Sequence, residues 1–272
     1  MSRVDPGQEL AYLDWNNSLE LLQRSYDAGL FVLIIGPKGT GKTTLVRRFS
    51  NLRGKELFTI NFSLRTRESH LVGSPTLGDG QVDFVEGVLL RSMKSGGLLY
   101  LDEINAAEAD VLLRLDEALD DRRQIVLKEA GGQVVKADPE WFVIGTINPL
   151  SHVGTKEMPP QLLSRFPVRI RLSYPPEDIE FEIIKTHVSF DDQQDPVRKM
   201  IRLANTLREA ASVEELYYGP SIRETIAFAK LIKKGVKPRD AAESIFANVY
   251  EQWGETEYRK VIDLITSIFG SA

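Results

Sequence analysis

Residues 36–43 constrain the fold of this 272-residue chain more than any other segment. They read Gly-Pro-Lys-Gly-Thr-Gly-Lys-Thr, which fits the pattern G-x-x-x-x-G-K-[ST]. An apolar run precedes them at residues 30–35, and a segment with helical spacing follows. This is the strand, loop and helix context that the pattern requires, so it predicts a loop whose backbone N–H groups approach a polyphosphate at the positive end of a helix.

Two side chains of this loop have separate expected roles. Lys42 is expected to contact the β- and γ-phosphates, and the Thr43 hydroxyl is expected to bind Mg²⁺. The residues expected to bind the nucleotide are Gly36, Pro37, Lys38, Gly39, Thr40, Gly41, Lys42, Thr43 and Thr44.

A second apolar run, residues 98–101, ends in two acidic residues, Asp102 and Glu103. Because the carboxyl ends of parallel strands face the crevice in which phosphates bind, we expect Asp102 to hold Mg²⁺ through water and Glu103 to orient the attacking water. The alternative interpretation is an acidic cap of the helix that follows, and the two interpretations do not exclude each other.

Short apolar runs alternate with helix-compatible segments over the first part of the chain. The runs are residues 30–35, 57–62, 98–101, 141–146 and 168–172. This alternation predicts a three-layer α/β domain with a mainly parallel five-stranded sheet. Residues 125–127 and 134–137 flank the turn-rich residues 129–132, which predicts a β-hairpin that stands off the sheet.

The strand pattern stops at Pro175 and Pro176. The segments that follow have helical spacing, at residues 177–188, 195–211, 221–233, 238–253 and 255–269. We therefore predict two domains, an α/β domain over residues 1–176 and an all-helical domain over residues 177–272.

Composition excludes several classes of function. Cysteine is absent, which excludes disulfides, thiolate nucleophiles and Cys-based metal sites. Lys plus Arg total 34 against 39 Asp plus Glu, a net charge of −5, which is the wrong sign for a protein that wraps nucleic acid. No apolar run approaches the length of a membrane span, and residues 1–7 lack the apolar segment typical of a signal peptide, so a cytoplasmic protein is expected.

Several further segments carry a resemblance to the AAA+ ATPases, and within them to the MoxR branch. Residues 100–105 are similar to the acidic motif of that family, the hairpin after residues 112–123 to its pre-sensor-1 hairpin, and residues 146–149 to its sensor 1. Residues 162–166 are similar to its arginine-finger segment, residues 219–223 to its sensor 2, and residues 71–87 to its helix-2 insert.

Residues 237–243 resemble the lid of the CbbQ, NirQ and NorQ subgroup. The resemblance implies ATP and Mg²⁺ as cofactors, a C-terminal helical lid, and a homo-oligomer, in that family a hexameric ring with ATP sites between subunits. It also implies remodelling of a protein client, for enzyme activation or cofactor insertion, together with a von Willebrand factor A domain partner.

The resemblance also assigns roles to two residues near the predicted sheet. Asn148 matches sensor 1, at the end of a strand expected to neighbour both the phosphate-loop strand and the Asp102 strand. Its amide is expected to orient water or contact the γ-phosphate, and its alternative role is to cap a turn before Pro149. Arg165 matches the arginine finger, which acts on a neighbouring subunit's γ-phosphate. Arg169 and Arg171 are rivals, although an exposed strand face also explains them.

Arg223 matches sensor 2, one turn into a predicted helix, where a cation is unfavourable unless an anion lies close. A nucleotide phosphate is one such anion, and an ion pair with Glu224 or Glu214 is the ordinary alternative.

Three other functions agree less well with the sequence. The paired Asp102 and Glu103 and the large helical region argue against a P-loop kinase or small GTPase. A DNA-acting AAA+ machine such as a clamp loader or helicase is expected to carry a basic, aromatic surface, whereas the basic residues here form isolated pairs. A nucleotide-gated scaffold without turnover is disfavoured by the presence of Glu103 and Arg165.

Overall fold

The structure is a computed structural model that describes residues 12–78, 81–128, 131–149, 156–190 and 194–270. The chain divides into two compact units between Leu172 and Ser173, and Lys38–Thr40 group with the second unit. The boundary after Pro176 that the sequence suggests stays a prediction. Residues 129–130 of the predicted hairpin turn and residues 79–80 of the predicted insert lie outside the described residues.

A five-stranded parallel sheet forms the centre of the first unit. Its strands are β1 Val32–Ile35, β2 Leu57–Asn61, β5 Leu98–Asp102, β8 Phe142–Ile147 and β9 Val168–Arg171. They lie in the order β2, β5, β8, β1, β9, and every pairing is parallel. The predicted α/β fold with a mainly parallel sheet is therefore confirmed, and each strand falls on one of the five apolar runs.

The helices of the first unit connect the strands and cover the sheet. They are α1 Ser18–Asp27, α2 Lys42–Arg53, α3 Glu68–Leu71, α4 Val88–Ser95, α5 Ala109–Leu119 and α6 Pro160–Ser164. Their apolar faces join the strands in one core, in which Phe49, Tyr100 and Trp141 are among the largest fully buried side chains. Among the residues that the structure describes, every helix falls short of the length or apolar character that a membrane span requires.

Two antiparallel hairpins stand apart from the main sheet. One pairs β6 Gln124–Leu127 with β7 Gln133–Lys136, as the sequence predicts. The other pairs β3 Gly73–Gly78 with β4 Gln81–Glu86 in the segment that resembles the helix-2 insert. The sequence did not predict this second hairpin, because its strands bury no continuous apolar face: the side chain of Leu77 is 84% exposed.

The second unit is helical, as predicted. Its α-helices are α7 Glu177–His187, α8 Gln194–Ser212, α9 Ile222–Lys233, α10 Pro238–Ala242 and α11 Glu255–Phe269. Residues 238–253 are helical, as their spacing predicts, but in three successive forms: α10 is followed by a π-helical stretch, Glu243–Ala247, and a 3-10 stretch, Asn248–Trp253. Two tertiary contacts join this segment to the residues before α9: the Tyr250 hydroxyl donates to the Tyr218 carbonyl, and Trp253 stacks on Tyr217.

A buried ion pair joins helices of the second unit. Arg208 donates to both carboxylate oxygens of Glu180, at 2.6 and 2.9 Å, and the two side chains are 6% and 0% exposed. Arg208 also donates to the Pro220 carbonyl at 2.7 Å and lies over the Tyr174 ring at 4.1 Å. The pair therefore fixes the loop that leads into α9.

We expect Arg208→Ala to lower the free energy of unfolding by about 3–5 kcal/mol, because it leaves the Glu180 carboxylate buried without its cation. Arg198→Ala is the matched control: Arg198 also lies over an aromatic ring, but its pair with Asp178 is 44% and 86% exposed, so a loss below about 1 kcal/mol is expected. Urea titrations followed by circular dichroism measure both, and equal losses for the two variants would contradict this account.

Candidate functional site

The phosphate loop connects β1 to α2 and depends on glycine at both ends. A Cβ on Gly36 would lie 2.5 Å from the carbonyl oxygen of Leu172, so no larger residue fits. Gly41 precedes α2 with φ +89°, a left-handed conformation that favours glycine. Lys38, Gly39 and Thr40 belong to the second unit, in which the Tyr174 hydroxyl donates to the Lys38 carbonyl at 2.9 Å.

Lys42 is the first residue of α2, and its side chain is buried. Its ammonium group donates to the carbonyls of Gly36 at 2.6 Å and Pro37 at 2.8 Å, and to Asn148 Oδ1 at 2.8 Å. The residue is 8% exposed. The Lys42 cation therefore lies at the loop, where the sequence predicts contact with phosphate.

Asn148 connects Lys42 to Glu103. Its Oδ1 accepts from Lys42 Nζ, while its Nδ2 donates to Glu103 Oε1 at 2.9 Å. The predicted neighbourhood of its strand is confirmed, because β8 pairs with β1 on one side and with β5 on the other. Asn105 holds its backbone, donating to the Asn148 carbonyl at 3.0 Å and accepting from the Asn148 N–H at 3.4 Å.

Two hydroxyl groups bind the Asp102 carboxylate. Tyr100 and Thr146 both donate to Asp102 Oδ1, at 2.8 and 2.7 Å. The Tyr100 hydroxyl also lies 3.2 Å from Thr43 Oγ1, which connects the phosphate loop to the acidic strand. Burial, and after it the Asp102 charge, raise the pKa of Tyr100 well above its ordinary value, so the phenol remains protonated at neutral pH.

Glu103 lies in an unusual backbone conformation, with φ 57° and ψ 47°. For a residue other than glycine this costs roughly 1–3 kcal/mol and is typical of functional sites. Its N–H donates to Thr146 Oγ1 at 3.0 Å. Glu103 precedes a short 3-10 helix, Ile104–Ala106. Its side chain forms no capping hydrogen bond with that helix and instead accepts one from Asn148.

The residues present fit Mg²⁺ in their chemistry. Thr43 and Asp102 supply a hydroxyl and a carboxylate, the hard oxygen donors that Mg²⁺ prefers, and Tyr100 joins the two through hydrogen bonds. The structure thus brings together five of the predicted residues in one network: Lys42, Thr43, Asp102, Glu103 and Asn148.

Tyr100, Thr146 and Asn105 belong to this network, and sequence reasoning gave them no role. Tyr100 and Thr146 interrupt the apolar runs that form β5 and β8. A polar hydroxyl in such a strand, close to its carboxyl end, is the signal that could have identified both.

Arg165 follows α6 and forms an ion pair with a residue of α5. Its Nε donates to Asp116 on α5 at 2.9 Å, and both side chains are about one quarter exposed. The hydrogen bond that Arg165 donates to Asp116, together with the charges of Asp116, Asp120 and Asp121, raises the pKa of Arg165. This guanidinium therefore remains charged and is held by an acidic surface.

The two rival arginines lie on β9, the edge strand of the sheet. Arg169 and Arg171 are exposed on either side of the buried Ile170, as an alternating strand face predicts. Arg169 donates to the Leu163 carbonyl at 3.1 Å.

Arg223 is exposed in the first turn of α9. Within residues 194–270 it pairs with neither Glu224 nor Glu214: the Glu224 carboxylate accepts from the Ser221 N–H at 3.0 Å and from the Tyr218 hydroxyl. An ion pair with Glu224 or Glu214 therefore does not account for Arg223 within residues 194–270.

Family models match both regions of the chain. The AAA domain of the dynein-related subfamily matches residues 31–166, and the CbbQ/NirQ/NorQ C-terminal model matches residues 180–262.

Curated relatives match across most of the chain. The denitrification regulatory protein NirQ of Stutzerimonas stutzeri is 31% identical over 238 residues, which cover 87% of this chain and 84% of that protein. An uncharacterized protein of Staphylococcus aureus is 34% identical over 205 residues, which cover 70% of this chain and 77% of that protein.

Solved structures share the fold. A putative ATPase from Cytophaga hutchinsonii superposes with a TM-score of 0.54 at 20% identity, covering 95% of this chain and 91% of that one. NtrX from Brucella abortus in complex with ATP superposes with a TM-score of 0.57 at 14% identity, covering 96% of this chain and 70% of that one. Together with the two family models and the NirQ relative, the fold and the residue network identify the family. The chain belongs to the CbbQ/NirQ/NorQ subgroup of the MoxR-type AAA+ ATPases.

Proposed function

We propose that this chain binds Mg-ATP at the phosphate loop and hydrolyses it to ADP and phosphate. The observation that supports this most strongly is the position of Asn148, whose amide accepts a hydrogen bond from Lys42 and donates one to Glu103. A phosphate-binding cation and a carboxylate able to orient water therefore belong to one hydrogen-bonded unit, as phosphoryl transfer requires.

Each residue has a distinct role in this proposal. The loop residues 36–44 and Lys42 bind the phosphates, Glu103 orients the attacking water, and Asn148 orients Glu103. Mg²⁺, when bound through Thr43 and Asp102, neutralises phosphate charge.

We further propose that the chain assembles into a ring, with six subunits as in the family it resembles, and that Arg165 acts in a neighbouring subunit's site. Its charge and its position on a loop after a short helix support this role. Arg223, which has no acidic partner in the described part of the second unit, is proposed to meet a nucleotide phosphate.

Lys42→Ala tests the nucleotide site. We expect its affinity for ATP to fall by about 10- to 100-fold, because a charge-assisted contact to phosphate is lost. Lys185→Ala is the control, since Lys185 pairs with the exposed Glu182 and lies 5.7 Å from the centre of the Phe181 ring, both within α7. Calorimetric titration of ATP into each variant measures the affinity, and wild-type affinity in Lys42→Ala would contradict the proposed site.

The work that hydrolysis drives is proposed to be remodelling of a protein client in the cytoplasm, for enzyme activation or cofactor insertion. The family and the name of the relative NirQ, a denitrification regulatory protein, support this proposal. A von Willebrand factor A domain protein is the expected partner that presents the client.

Co-purification from the native host tests the partner. We expect a von Willebrand factor A domain protein to be recovered, and its addition to change the rate of phosphate release. Recovery of nucleic acid, with salt-sensitive binding and DNA-stimulated turnover, would instead support a DNA-acting AAA+ machine.

A further inference from the structure

The Tyr100 hydroxyl lies between two groups that carry the metal chemistry of the proposed site. Tyr100 is a fully buried residue of β5, placed beside Thr59 and Ile144 of the neighbouring strands. Its oxygen lies 2.8 Å from Asp102 Oδ1 and 3.2 Å from Thr43 Oγ1. A tyrosine at this place in an otherwise apolar strand is not needed for packing, since phenylalanine has the same ring.

The direction of each hydrogen bond follows from the number of protons. An ionised carboxylate only accepts, so the single Tyr100 proton is donated to Asp102. The Tyr100 oxygen then offers only lone pairs to Thr43, and the Thr43 hydroxyl must be the donor in the second bond. The three groups therefore form a chain in which each hydroxyl points its hydrogen toward Asp102.

This direction matters for a metal. A hydroxyl oxygen that binds a cation must turn its lone pair to the cation and its hydrogen away from it. Tyr100 accepts that hydrogen, and so leaves the Thr43 lone pairs free to turn elsewhere. It also restrains the Asp102 carboxylate together with Thr146, which donates to the same oxygen at 2.7 Å.

We propose that Tyr100 is a positioning residue for the Mg²⁺ site: its hydroxyl orients Thr43 and Asp102 so that their oxygens bind the metal. The inference rests on the proposed function, because it assumes that Thr43 and Asp102 bind Mg²⁺. Hydrogen bonds of this kind around metal ligands change metal affinity by about 10- to 100-fold when they are removed.

Tyr100→Phe tests the inference, because it removes one oxygen and keeps the ring that packs in the core. Mn²⁺ replaces Mg²⁺ as the probe, since its electron paramagnetic resonance signal reports the free ion. We expect the dissociation constant of Mn²⁺ from the complex of protein and ADP to rise by about tenfold or more. The affinity for ADP in the presence of EDTA is expected to stay within about twofold, since no phosphate contact is assigned to Tyr100.

Tyr250→Phe is the matched control. Its hydroxyl is also buried and also donates a hydrogen bond, to the Tyr218 carbonyl in the helical unit. We expect no change in Mn²⁺ affinity for this variant, and a thermal melt of each variant shows that folded protein is compared.

Two failures are distinguishable in this experiment. A wild-type chain that binds neither ADP nor Mn²⁺ with ADP would overturn the proposed function itself. A wild-type chain that binds both, with the same Mn²⁺ affinity in Tyr100→Phe, would overturn the role of Tyr100 and leave the proposed function intact. A loss of ADP affinity in EDTA equal to the loss of Mn²⁺ affinity would also overturn it, because the effect would then not be on the metal.

Discussion

Rings made only of Arg165→Ala subunits are expected to lose ATP hydrolysis by about 10³- to 10⁵-fold, because a finger arginine stabilises the charge of the transferring phosphoryl group. The variant is expected to fold. The pair that it breaks, between Arg165 and Asp116, is partly exposed on both sides and contributes below about 1 kcal/mol.

Mixing distinguishes a finger that acts across a subunit boundary from one that acts within its own subunit. Arg165→Ala subunits have an intact phosphate loop and no finger, while Lys42→Ala subunits have a finger and no working loop. A mixed ring contains some interfaces that combine the intact loop with the intact finger. Phosphate release is therefore expected to recover in part when the two inactive proteins exchange subunits.

Arg169→Ala is the control for this experiment. Arg169 is an exposed residue of the edge strand β9, and its guanidinium donates to the Leu163 carbonyl. We expect it to retain wild-type turnover. No recovery despite demonstrated exchange, or full activity of Arg165→Ala alone, would remove Arg165 from the role and make Arg169 or Arg171 the next residue to test.

The sheet and the phosphate loop could be predicted from the sequence because their signals are local. The three central strands of the parallel sheet, β1, β5 and β8, are buried on both faces, and each appears as a short apolar run. The glycines around Lys42 carry their own conformational requirement. The acidic pair was placed correctly for the same reason, since Asp102 ends β5 and Glu103 directly follows it.

The network around these residues could not be predicted in the same way. Tyr100 and Thr146 count as ordinary strand residues in an apolar run, and their hydroxyls acquire a role only when β5 and β8 are placed side by side. The left-handed conformation of Glu103 is likewise a product of tertiary contacts, because no local pattern marks it. The helical spacing of residues 238–253 likewise does not distinguish α-helix from the π- and 3-10-helical stretches observed there, in which Phe246 and Tyr250 are buried.

The second large effect is expected for Glu103→Gln. The glutamine carbonyl can accept the hydrogen bond that Asn148 Nδ2 now donates to Glu103 Oε1, so the side chain keeps its position. It loses the negative charge that polarises water. Hydrolysis is therefore expected to fall by about 10²- to 10⁴-fold, while Lys42, Thr43 and Asp102 still bind the nucleotide. Glu108→Gln, which changes an exposed carboxylate paired with Lys156, is the control and is expected to behave as wild type.

Glu103→Gln and the wild-type chain are compared by calorimetric titration of ATP and by phosphate release, with both measurements made on one preparation of each protein. We expect Glu103→Gln to bind ATP with an affinity within about threefold of wild type and to release phosphate at least about 10²-fold more slowly. Normal phosphate release by Glu103→Gln would contradict this expectation, because the carboxylate held by Asn148 would then take no part in the hydrolysis of ATP.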